Sequence, residues 1–84
     1  MVKVGLSDRA VADLDKLTNP ILARVQGILE RLEKWPGVSG AKPLRGALKG
    51  CFGIRTGDWR VVIRPIGEVI WIVCIDNRKD VYED

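Results

Sequence analysis

The run Cys51-Phe52-Gly53-Ile54-Arg55-Thr56-Gly57-Asp58-Trp59-Arg60-Val61-Val62-Ile63-Arg64 restricts the fold more than any other stretch of the chain. Two segments rich in β-branched and aromatic residues flank Thr-Gly-Asp, and a glycine there supplies the positive φ of a tight turn, so the run predicts an antiparallel hairpin. With Gly57-Asp58 as a two-residue loop, glycine first as a type II′ turn prefers, Thr56 stands opposite Trp59 and Arg55 opposite Arg60. Alternation then places Phe52, Ile54, Val61 and Ile63 on one face, which suits a core. The other face collects Cys51, Gly53, Arg55, Arg60, Val62 and Arg64. Like charges directly across a ladder destabilise it by up to about 1 kcal/mol. Nothing in folding calls for that pair, whereas a bound polyanion does.

The remaining segments supply what such a hairpin has to pack against. Val2 to Leu6 alternates apolar positions and predicts a strand. Ser7 is a helix N-cap with Asp8 in the first turn, facing the positive end of the helix dipole. Ala10, Val11, Leu14 and Leu17 form one apolar stripe over roughly ten residues. Asn19 and Pro20 then open a second helix as N-cap and first helical residue, running to about Trp35 with the stripe Ile21, Val25, Ile28, Leu29 and Leu32. Pro36 to Gly40 is a loop, and Lys42 to Gly50 an irregular approach whose Leu44 and Leu48 are able to plug the core. Pro65-Ile66-Gly67-Glu68 is a second tight turn. Val69 to Ile75 is a strand with Ile70, Ile72 and Cys74 on its core face. Its other face, Val69, Trp71, Val73 and Ile75, is too apolar to stay wet and asks for a cover. The order β-α-α-β-β-β predicts a single α+β domain over 1–84, with a twisted antiparallel sheet and both N-terminal helices packed on one face.

Charge and composition narrow the function classes. The net charge of +3 is unevenly spread: residues 42–64 hold six Lys/Arg and one Asp, whereas residues 65–84 hold two Lys/Arg and five Asp/Glu. The basic excess belongs to the hairpin and its approach, which points to an acidic partner there. The chain has no histidine, which excludes an imidazole acid/base pair and Ser-His or Cys-His nucleophile systems. Cys51 and Cys74 are too few and too dispersed for a disulfide framework or a zinc site. No metal or other cofactor is expected. A reducing cytoplasm is the expected location, since neither a signal peptide nor an apolar run of membrane-spanning length is present.

Three pieces taken together resemble the RelE/ParE toxin superfamily, and its RelE branch in particular: Leu44-Arg45-Gly46, Ile54-Arg55-Thr56-Gly57-Asp58-Trp59-Arg60-Val61-Val62, and Asn77-Arg78-Lys79-Asp80-Val81-Tyr82. The resemblance extends to the whole element order. It implies the toxin of a type II toxin-antitoxin system, a metal-independent endoribonuclease that enters the ribosomal A site, cuts mRNA and so inhibits translation. A cognate antitoxin, in a pair or a larger assembly, would block it. The family's functional residues fall on Arg55, Arg60, Arg78 and Tyr82. Where the family often carries a basic residue two before Arg55, this chain has Gly53, with Lys49 and Lys79 as candidates to supply the charge. Two other readings accompany the resemblance: a ParE-like inhibitor of DNA gyrase without nuclease chemistry, and a degenerate homologue that only binds antitoxin.

The chemistry implied is attack of a ribose 2′-OH on the adjacent phosphorus in line with the departing 5′-oxygen. Arg55 and Arg60 suit the charge that builds on the phosphorane, because planar guanidiniums bind phosphate oxygens in bidentate fashion and stay charged. Arg78 approaches from another side. Tyr82, the sole tyrosine, is a candidate general base or base-stacking platform. Lys42, Arg45, Lys49, Arg64 and Lys79 are expected to contact RNA phosphates without reading sequence. Each of these has a structural alternative: solvated surface arginines at 55 and 60, an ion pair of Arg78 with Asp76 or Asp80, a packing anchor at Tyr82. Trp35 and Trp59 read as core, and Trp71 as either local packing or an antitoxin contact.

Overall fold

The structure, a computed structural model, describes residues 2–77. Arg78, Lys79 and Tyr82 therefore lie outside the described residues. The elements are β1 (Lys3–Leu6), α1 (Asp8–Asp15), α2 (Ile21–Arg31) with a 3-10 turn at Leu32–Lys34, β2 (Lys42–Pro43), a second 3-10 turn at Gly46–Leu48, β3 (Phe52–Thr56), β4 (Trp59–Ile66) and β5 (Val69–Asn77). They build an α+β fold on one five-stranded sheet of order β1-β5-β4-β3-β2.

The β3–β4 hairpin has the expected register, with Thr56 opposite Trp59, Arg55 opposite Arg60 and Phe52 opposite Ile63. Gly57 has φ +61° while Asp58 keeps a negative φ, which is the sign pattern of a type II′ rather than a type I′ turn. The β4–β5 connection is tighter than Pro65 to Glu68. Ile66 already pairs with Val69, so the turn is Gly67-Glu68, again with a positive φ only at the glycine.

The sheet is mixed, not wholly antiparallel as expected, because β1 pairs in parallel with β5. That direction carries the chain from Leu6 straight to the point on β5 where α1 docks. A parallel pair needs a long crossover, and everything between β1 and β5 provides it. At the opposite edge β2 is only two residues long and contains Pro43 and Lys42, a short, charged, proline-bearing strand of the kind that resists further pairing.

Both helices cover one face. Ala10, Leu17, Val25, Ile28 and Leu32 meet Ile54, Val61, Ile63, Ile70, Ile72 and Ile75 in the main core, with Trp59 at its border. Trp35 packs edge-on against Phe52, ring centroids 5.0 Å apart at 67°. Two local expectations shift. Val11 is exposed, because one residue step turns it about 100° from Ala10 while Leu14 and Leu17 stay in line. The second helix begins at Ile21 with Pro20, not Asn19, as N-cap; Leu22 N–H donates to the Thr18 carbonyl at 3.1 Å, which serves an amide that a side-chain cap would otherwise take.

The largest departure lies in β5. Val62 pairs with Cys74 but Ile63 pairs with Ile72, so Val73 is an extra residue, a β-bulge. Past it every side chain changes face. Ile75, expected outside, is 3% exposed within the main core, and Cys74, expected inside, lies on the opposite face. The bulge is held from α1. Ser7 Oγ donates to the Val73 carbonyl at 2.8 Å and accepts from Ala10 N–H at 3.1 Å, and Asp13 Oδ2 accepts from Ile75 N–H at 2.9 Å. The helix thus satisfies the edge of β5 that β1, ending at Leu6, leaves open.

Candidate functional site

The sheet face away from the helices carries the charges singled out from the sequence, but it is not one continuous basic surface. Leu44 and Leu48 do not enter the main core. They close over Cys51, Val62 and Cys74, with Val73 alongside, as a second small apolar cluster in the middle of this face. The reason is spatial: the two helices already fill the other side of the sheet, so the approach to β3 has only this side on which to bury its leucines. Leu44 N–H donates to the Cys51 carbonyl at 3.0 Å and Cys51 N–H to the Leu48 carbonyl at 2.9 Å, which pins the segment down.

That cover divides the cations. On one side Arg55 and Arg60 are direct cross-strand neighbours, and Lys42 lies across β3 at Gly53. On the other side Arg64 pairs across the sheet with Trp71, and its guanidinium carbon stands 3.9 Å from where a β-carbon on Gly50 would be. Lys49 and Arg45 are both exposed in the segment that leads into Gly50. Arg55, Lys42, Arg45, Lys49 and Arg64 have no ion pair among the described residues. Arg24 of α2 brings a further cation to the hairpin tip, its Nη1 3.7 Å from the β-carbon position of Gly57. Trp71, 40% exposed, lies over Gly5, where a β-carbon would meet the indole at 2.8 Å. It packs locally there, and that close approach requires glycine at position 5.

Arg60 is better anchored than a solvated arginine. Its Cδ and Cγ lie 3.2 and 3.5 Å from the β-carbon position of Gly53, and Leu44 Cδ2 lies 3.3 Å from the same point. The missing side chain at 53 is the seat of Arg60's methylenes. Its guanidinium meets Asp76 across the β4–β5 ladder, Nη2 to Oδ2 at 3.9 Å. Asp76 Oδ1 also accepts from Arg9 Nη2 of α1 at 3.0 Å, and Oδ2 from the Cys74 thiol at 3.3 Å. The like-charge pair thus has an opposite charge beside it, a partner the sequence did not reveal. In a regular β5 Arg60 would face Ile75; the bulge replaces it with Asp76. No local residue signal marks Val73 as a bulge.

Cys74 is not a nucleophile in this setting. Burial, then its hydrogen bond to the Asp76 carboxylate, push its thiol from 9.0 up to about 12. The folded state therefore favours the protonated thiol, and that stabilisation is complete below about pH 9 and lost as pH rises toward 12. Urea titrations from pH 8 to 11 are expected to show stability falling more steeply in the wild type than in Cys74→Ala. The difference in slope is at most about 1.4 kcal/mol per pH unit, the value for one proton. Equal slopes would count against this burial. Among the described residues no group of three or more His, Cys, Asp or Glu is placed to hold a metal ion, and no helix is long and apolar enough to cross a membrane.

A family model described as the ParE toxin of the type II toxin-antitoxin system parDE matches residues 4–82. The chain belongs to this toxin family. Among solved structures it is similar to a chain of the RelBE2 toxin-antitoxin complex of Mycobacterium tuberculosis, with 32% identity over 92% of this chain and 98% of that one, at a TM-score of 0.78. The isolated RelE toxin of E. coli shares the fold, with 21% identity, TM-score 0.76, and coverage of 92% and 84%. So does a chain of the RelB-RelE complex of Methanococcus jannaschii, with 22% identity, TM-score 0.76, and coverage of 93% and 94%. No protein of curated function matches the sequence. The RelE/ParE superfamily expected from the hairpin and its flanks is thereby established, and with it the role of toxin in a type II system.

Proposed function

We propose that this toxin is a ribosome-dependent endoribonuclease that cuts mRNA in the A site, with Arg55, Arg60, Arg78 and Tyr82 as its working residues. The observation that carries the reading is the placement of Arg55 directly across from Arg60 on the sheet face away from the helices. Arg55 has no counter-ion among the described residues, and Arg60 has one only at 3.9 Å. Two guanidiniums so placed present parallel N–H donors to adjacent phosphate oxygens. β5 ends at Asn77 opposite Trp59, one register step from Arg60, and Arg78 is the next residue in the chain.

In this reading the 2′-oxygen attacks phosphorus and the bond to the 5′-oxygen breaks, the departing oxygen taking a proton from water, leaving a 2′,3′-cyclic phosphate and a 5′-hydroxyl. Arg55 and Arg60 stabilise the extra negative charge of the phosphorane. Tyr82, as phenolate, takes the 2′-OH proton. A phenol ordinarily titrates near 10, so the acid/base set is poorly matched to neutral pH and the ribosome supplies much of the substrate geometry. Lys42 extends the same patch. Arg64, beyond the leucine cover, holds ribosomal or message phosphates together with Arg45, Lys49 and Lys79. The partners are the ribosome with its message and a cognate antitoxin, as in the RelBE complexes, in the cytoplasm.

Primer extension on messages from cells induced for this toxin is expected to show cuts inside codons, and purified toxin to cut ribosome-bound message far faster than free RNA. A gyrase-directed toxin without nuclease chemistry is the second reading. It is favoured by the ParE description of the matching family model and by Asp76, which gives Arg60 a structural role. Blocked supercoiling with intact messages would establish it instead. Binding to antitoxin with neither effect would mark a degenerate homologue.

A further inference from the structure

We infer that Asp76 is a positioning residue for Arg60, its carboxylate fixed from two sides so that it orients the guanidinium beside Arg55. The inference rests on the nuclease reading and assigns that site a residue which neither the hairpin motif nor the basic pattern points to.

Four observations carry it. The bulge at Val73 moves β5 by one residue and sets Asp76, not Ile75, opposite Arg60. The carboxylate is not free to turn, because Arg9 Nη2 takes Oδ1 at 3.0 Å and the Cys74 thiol takes Oδ2 at 3.3 Å. Its side chain is 12% exposed, against 20% for Arg60 and 67% for Arg9. Finally, the methylenes of Arg60 are seated on Gly53 beneath Leu44, so its stem and its head are each restrained by a different element.

The separation of 3.9 Å matters. It exceeds a hydrogen bond, so Asp76 directs Arg60 by charge without using up its N–H donors, and a phosphate can still take them in bidentate fashion. Arg9 already offsets the charge of Asp76, which keeps the local field attractive to an incoming phosphodiester. A carboxylate that merely neutralised Arg60 would do the reverse: its removal would tighten RNA binding and leave the chemical step unchanged.

The test compares wild-type toxin with Asp76→Asn and Asp76→Glu on ribosomes programmed with message, reading single-turnover rate against ribosome concentration. Misplacing a reacting group by about an ångström costs up to about 100-fold in rate. For Asp76→Asn the maximal rate is expected to fall about 10- to 100-fold, while the half-saturating concentration stays equal or drops. Asp76→Glu, which keeps the charge, is expected to recover most of the rate. In the free toxin, 15N relaxation of the Arg60 side-chain Nε should show lower order in Asp76→Asn and not in Asp76→Glu. A wild-type maximal rate in Asp76→Asn, a loss confined to half-saturation, or unchanged Nε order overturns the assignment. If the wild type leaves message intact, the nuclease reading fails alone, and the Nε order decides the positioning by itself. Should Asp76→Asn not fold, Arg9→Gln frees Oδ1 instead. The same fall in maximal rate and order is then expected, and unchanged values reject the inference.

Discussion

Arg60→Ala is expected to slow cleavage of ribosome-bound message about 10²- to 10³-fold, the loss typical of removing one donor aimed at developing charge, and to release cells from growth arrest. The fold should survive the change. Arg60 contributes no buried side chain to the main core, and its ion pair with Asp76 at 3.9 Å is long. Its methylenes cover Gly53, so some loss of packing will accompany the loss of charge. Arg60→Lys separates the two. Lysine keeps a stem and a positive charge but lacks the planar fork, so stability should return while the rate stays well below wild type. Circular dichroism and antitoxin binding by the alanine variant establish that it is folded. Full growth arrest from that folded variant would remove Arg60 from the mechanism and shift weight to the gyrase reading.

Ile75→Ala is expected to destabilise the chain by about 2–5 kcal/mol, the usual cost of truncating a buried isoleucine. For a chain of this size each kcal/mol lowers Tm by about 4–8 °C, so the variant should melt well below the wild type, and urea midpoints should fall with little change in m. The prediction bears directly on the bulge. Were β5 regular, Ile75 would share a face with Trp71 and Val73, and its truncation would cost little. Because Val73 is unpaired, Ile75 sits at 3% exposure beneath the helices. Near-wild-type stability in Ile75→Ala would place the bulge in the wrong position and take the Arg60–Asp76 pairing with it.

Much of the architecture was legible because it depends on short-range chemistry. The glycine-first turn at Gly57 set the β3–β4 register, Ser7 capped α1, and the stripes of both helices contain the residues that the helical half buries, Ala10, Leu17, Val25, Ile28 and Leu32. What was missed depends on contacts between distant segments. β1 runs parallel because of where α1 must dock on β5, 66 residues beyond Ser7 as measured by its bond to Val73. Leu44 and Leu48 turned to the basic face because the helices already occupied the other. The bulge left no trace in composition, since valine is an ordinary strand residue, and it alone moved Cys74 out of the core and Asp76 in front of Arg60. Arg55 and Arg60 were placed correctly by alternation alone. Asp76, Arg9 and the seat at Gly53 were not visible, since each acquires its meaning from a partner that only the folded sheet supplies.

The pairing of β1 with β5 bears on how such a chain matures during its own synthesis. Residues 3–6 find their hydrogen-bonding partners only at 69–72, so β1 waits during synthesis for β5, and pairings this remote form late. Asp76 arrives with that same strand. A product terminated before β5 lacks the strand that joins β1 to β4 and the anion beside Arg60, so incomplete translation yields no assembled toxin.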